Sequence, residues 1–154
     1  MADYTSNLIA KQAAASTGQS GGIRDADDLS GTLLYATAIV TLDHAMAAND
    51  TIQLADLPAG AVVVPQLSHV TGATTATSSL TLDIGDALIP NRYAQVLDVT
   101  AAGQHAFCAG TLPAAAATPY RLPDPTRVHA TVHAASGVNT GVQLAVTIAY
   151  RVKG

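Results

Sequence analysis

The stretch Val142 to Val152, VQLAVTIAYRV, constrains this chain more than any other. Val142, Leu144, Val146, Ile148, Tyr150 and Val152 fall at every second position, with Gln143, Thr147 and Arg151 between them. An extended backbone puts the first set on one face and the second on the other, whereas a helix scatters both sets around its axis. At about 3.4 Å per residue the run is roughly 37 Å long, which is long for a strand. It predicts a strand with one buried face, and such a strand needs partners.

Partners are present upstream. Leu34, Ala36, Ala38, Val40 and Leu42 share one face of a second run, and SSLTLDIGD alternates through Leu80, Leu82 and Ile84 to Gly85. TIQLADL, YAQVLDVT, QHAFCAG and RVHATVHAAS are further candidates. Leu57-Pro58-Ala59-Gly60 reads as a turn, because proline presets φ at one corner and Gly60 supplies a positive φ at another. AVVVPQLSHV begins as an apolar run and is broken at Pro65, which removes a ladder donor and predicts an edge or a bulge. About eight short strands without helical alternation predict an all-β fold. The expected architecture is an antiparallel β-sandwich of jelly-roll type over residues 31–154.

Composition supports this and adds a constraint. Phe107 and five tyrosines are the only aromatics, 4% of the chain, and Glu is absent. The core therefore rests on Val, Leu, Ile and Ala, without the large area that aromatic rings bury. A core so lightly filled is expected to gain stability from neighbouring copies. Residues 1–30 read differently, as an extended or partly helical N-terminal arm that packs little of itself on the domain. SNLIAKQAAAST has Ser6 as a helix N-cap and Gly18 as a stop, followed by the hinge-like GQSGG and the acidic DADD.

Charge narrows the partners. The formal net charge is -4, and the seven Lys and Arg are scattered, so no basic stripe exists for nucleic acid. No apolar run approaches the ~20 residues that span a bilayer, and MADYTSNLIAKQ lacks the basic start of a signal peptide. One cysteine, Cys108, allows no intrachain disulfide, in keeping with synthesis in a reducing cytosol.

A search for chemistry finds no catalytic set. His129 and His133 are four apart, so in a strand they lie on one face about 13 Å apart, too far to share one metal ion. His44, His69 and His105 stand alone among small residues. A calcium loop counted from Asp25 places Ser30 at the sixth position and Ala36 at the twelfth, where glycine and a carboxylate are required. Asp83 and Asp86 are expected to hold a turn through side-chain hydrogen bonds to the backbone. Cys108 reads as a small buried hydrophobe, on the opposite strand face from His105. Neither Ser68 nor Ser136 lies in a nucleophile elbow, and GQSGG lacks the Lys of a phosphate loop. The expectation is a protein with no catalytic activity, no cofactor and no metal.

NDTIQLADLPAGAVVVPQLSHV and SSLTLDIGDALIPNRYAQVLDVTAAGQ resemble small virion structural proteins of tailed bacteriophages, over roughly residues 33–152. The shared signatures are a strand leading into "LPAGA" and a "TLDIGD" strand leading into a polar loop. The resemblance extends to capsid decoration (cement) proteins, β-rich and often trimeric on the head surface. It implies a homotrimer made in the host cytoplasm that binds the major capsid protein, with neither nucleic acid nor membrane as partner. Under that reading the capsid-contact candidates are Tyr4, Leu8, Ile9, Lys11 and Arg24 in the arm. Asn91, Arg92 and Tyr93 in one loop, and Tyr120 and Arg121 in another, are further candidates. The alternatives are a carbohydrate- or receptor-binding domain of a spike or fibre, and a head-tail neck component. Few aromatics are available here for a sugar platform.

Overall fold

The C-terminal alternation becomes β10 (Gln143–Val152), the spine of one sheet in the computed structural model, which describes residues 3–5, 33–72, 79–109, 119–136 and 140–152. Along one side β10 pairs antiparallel with β2 (Leu33–Thr41), from Gln143 opposite Thr41 to Arg151 opposite Leu33. On its other side it meets β4 (Ala61–Val63) and β5 (His69–Gly72), and β5 carries β8 (Gly103–Ala106). This sheet, B, has the order β2-β10-β5-β8, with β4 beside β10.

Sheet A contains β1 (Asp3–Thr5), β3 (Thr51–Leu57), β9 (Thr126–Ala135), β6 (Leu80–Gly85) and β7 (Ala94–Asp98), in that order. Its pairings are antiparallel except β1 with β3, which is parallel. The two sheets form an all-β sandwich. Leu54 and Ile52 from β3, Leu82 and Ile84 from β6, and Leu144 and Ile148 from β10 are fully buried in the core between them. Ala38, Ala61, Ala94 and Ala130 fill the same core with small side chains, as the scarcity of aromatics demands.

Among the described residues ten strands form where about eight are expected, and Pro65 explains one of the extra pair. It opens a 3-10 turn, Pro65–Leu67, that splits one apolar run into β4 and β5. Ser68 repairs the ladder there. Its Oγ accepts from Ala149 N (2.9 Å) and donates to Val64 O (2.9 Å), while Val64 N donates to Ala149 O (2.8 Å). The 57–60 turn forms as expected, with Gly60 at φ 81° and Ala61 N donating to Pro58 O at 3.2 Å. The other extra strand, β1, lies within the segment read as an arm. The helix expected over Ser6 to Thr17 lies outside the described residues. Cys108 corrects an expectation: it is exposed, because the chain leaves β8 in a 3-10 turn, Phe107–Ala109, that buries Phe107 instead.

Candidate contact site

The loop between β6 and β7 is densely fastened by hydrogen bonds. Asp86 Oδ1 accepts from Leu88 N and Ile89 N, both at 2.9 Å, which is the turn-holding role its sequence position implies. Ile89 O accepts from Asp86 N and Arg92 N, each at 3.1 Å, and Tyr93 N donates to Ile84 O at 2.8 Å. The strand and loop backbones pass so close at Gly85 that an added Cβ would collide with the backbone of Ile89 and Pro90. Only glycine fits there.

A buried ion pair sits beneath the loop. Arg92 Nε donates to Asp86 Oδ2 at 2.5 Å, and the two residues are 6% and 2% exposed. The Arg92 guanidinium carbon lies 3.8 Å from the centroid of the Tyr120 ring. The two loops named separately from the sequence are thus one unit. Tyr93, 3% exposed, completes it, and its hydroxyl has no hydrogen-bond partner among the described residues. Burial first, then the charge of Asp86, pushes the Tyr93 phenol far above its ordinary range, so it stays protonated. The arrangement fixes the path of the loop.

What the loop presents outward is Leu88, 83% exposed at its tip, together with the exposed Ala87 and Pro90. The sequence reading missed it. The available signal was an apolar side chain two residues beyond a turn-holding Asp. Of the sequence candidates, Arg92 and Tyr93 turn inward, drawn by the Asp86 carboxylate and the core. Asn91 and Tyr120 are half-buried and Arg121 is exposed. Tyr4 lies in β1 with its Cα opposite Ile52. Leu8, Ile9, Lys11 and Arg24 lie outside the described residues.

The two sheets differ in charge. The strands of sheet B carry one formal charge, Arg151, whereas those of sheet A carry five: Asp3, Asp56, Asp83, Asp98 and Arg127. On sheet A, Arg127 grips Asp56 through two nitrogens (2.7 and 2.9 Å) and gives a third bond to Gln53 Oε1 at 2.9 Å. His133 Nδ1 donates to Asp83 Oδ2 at 3.1 Å. Gln53, Arg127, His129, Leu88 and Pro125 are among the residues lining an open cleft. Among the described residues no three His, Cys, Asp or Glu side chains come together to hold a metal ion. The outward face of β2 holds Tyr35 and Ile39, both exposed, with Thr37 Oγ1 3.2 Å from Thr147 Oγ1 of β10.

Neither a family model nor a curated protein sequence matches the chain. Solved structures do. A chain of the cyanophage Pam1 capsid asymmetric unit matches at TM-score 0.63 and 16% identity, over 89% of this chain and 95% of that one. A chain of the capsid of Ralstonia phage GP4 matches at TM-score 0.60 and 22% identity, over 99% of both. The fold is thus one that chains of phage capsid particles also adopt.

Proposed function

We propose that this protein is a non-enzymatic structural component of a phage virion, a decoration protein that binds the major capsid protein on the head surface and stabilises the shell. The observation that carries the reading is the end-to-end fold likeness to a phage capsid chain, 99% of both chains. The strand orders, β2-β10-β5-β8 over β3-β9-β6-β7, fit the jelly-roll pattern common in capsid proteins. In this reading the rigid loop around Leu88 is a contact knob, since an apolar side chain held in place loses little entropy on docking. The charge-poor outer face of sheet B is the second contact surface, because burying it desolvates few charges. Copies assemble as homotrimers after synthesis in the host cytoplasm, and weak contacts repeated by symmetry hold the shell.

The test is addition of the purified protein to phage shells that lack it. Saturable co-sedimentation and a higher shell melting temperature are expected. Binding to glycans with no affinity for shells would replace this reading with a receptor-binding one.

A further inference from the structure

β1 is tethered by far more chain than its position requires. β2 packs against β3 across the sandwich, so β2 and β1, which pairs with β3, lie at the same edge of the two sheets. Packed sheets are about 10 Å apart, a gap that roughly four extended residues cross. The chain has 27 residues there, 6–32, which reach at most roughly 90 Å. A domain of this length has a radius of gyration of only about 15 Å. The tether is therefore long enough for Asp3–Thr5 to reach the β3 of a neighbouring copy as well as its own.

The pairing itself also points between chains. β1 covers three of the seven residues of β3, Asp3 opposite Thr51 to Thr5 opposite Gln53. A parallel pair that short offers a few hydrogen bonds of about 1 kcal/mol each. Within one chain they must offset the closure of the 27-residue segment 6–32 between β1 and β2. Around a closed ring of copies the same exchange repeats at every interface, and each strand is held cooperatively. It also gives the aromatic-poor domain stabilising contacts that its own core does not supply.

We infer that the β3 edge is a strand-acceptor site for a second copy of this chain, with Asp3–Thr5 of one copy pairing in parallel with Thr51–Gln53 of its neighbour. The inference rests on self-association and not on the identity of any shell. The exposed Cys108 is first replaced by Ser to clear the background. Asp3→Cys and Thr51→Cys, on separate chains with different tags, are then co-expressed and treated with a short bismaleimide. A covalent product joining the two tags is expected, and a chain carrying both cysteines should give covalent dimers and larger species. Intrachain closure alone, or a monomeric full-length protein, overturns the inference. Removing residues 2–5 should weaken self-association and leave the β-sheet circular dichroism unchanged. An unaltered sedimentation profile after that deletion also overturns it, as does position 3 cross-linking to a capsid chain in preference to a second copy.

Discussion

Arg92 lies under Tyr120 with its guanidinium carbon 3.8 Å from the ring centroid, while its Nε is committed to Asp86. One buried cation thus joins two loops 28 positions apart in sequence, from 92 to 120. Breaking such a pair from one side strands a charge in the interior and costs about 3–5 kcal/mol. Asp86→Ala also frees Leu88 N and Ile89 N, so it is expected to fall at the upper end, whereas Tyr120→Leu loses about 1 kcal/mol. Replacing both charges, Asp86→Leu with Arg92→Met, should recover a large part of the ion-pair cost. Urea titrations of the three variants check this, and a double variant weaker than Asp86→Ala would mean the pair itself is strongly stabilising.

That loop marks the boundary of what the sequence discloses. Period-two alternation located most strands, since burial of one face is written residue by residue in Leu80, Leu82 and Ile84 or Leu144, Val146 and Ile148. Pairing is not written that way. Among the described strands only β6 and β7 are consecutive and hydrogen-bonded to each other, and every other partner comes from a distant run. The direction of Arg92 was hidden for a similar reason. Whether an arginine faces water or a buried carboxylate depends on the loop's path, which the close approach at Gly85 sets. The three residues of β1 carry no alternation signal at all.

Ser68 supplies the next expectation. Its Oγ takes the Ala149 N–H at the point where Pro65 interrupts the ladder, and Ser68 is 1% exposed. Ser68→Ala leaves that donor buried without a partner, at a cost of about 1–3 kcal/mol. Hydrogen exchange at the Ala149 amide should accelerate in step with the loss of global stability. Unchanged stability and exchange would mean water replaces the hydroxyl.

Val96 is held at φ 52° beside the bulge where β6 meets β7, with its N–H donated to Asp83 Oδ1 at 2.7 Å. A β-branched residue in the left-handed region costs of order 1–3 kcal/mol, and Asn tolerates that region far better. Val96→Asn is therefore expected to stabilise by about 1 kcal/mol, raising Tm by roughly 2–4 °C. A lowered Tm in a calorimetric scan would show that the Val96 side chain contributes more by packing than its backbone costs.

Tyr93 makes stability fall at alkaline pH. Its pKa is raised in the folded state by burial and then by Asp86, while the unfolded phenol titrates near 10. Stability is therefore fully present below about pH 10 and is lost as pH rises beyond it, because only the unfolded state releases the proton there. Burial raises Tyr150 as well, so the dependence is shared. Tyr93→Phe removes a buried hydroxyl that lacks a partner and should stabilise the fold at neutral pH. It should also shallow, without abolishing, the decline between pH 10 and 11.5 in thermal melts. An unaltered slope would mean the phenol is wetter than its burial implies.

Leu88 separates folding from docking. At 83% exposure it contributes little to stability, so Leu88→Asp should leave Tm nearly unchanged, within about 0.5 kcal/mol. If the loop is a contact knob, the same change puts a charge at the centre of the interface and weakens shell binding at least tenfold, or about 1.4 kcal/mol. Deleting residues 2–30 is expected to leave the β domain folded, since among the described residues the three of β1 are all that sheet A loses, while abolishing attachment. Co-sedimentation with shells, read beside circular dichroism for each variant, distinguishes the two contributions. Full occupancy by Leu88→Asp would move the contact surface to sheet B, and full occupancy by the truncated chain would free the N-terminal segment of any attachment role.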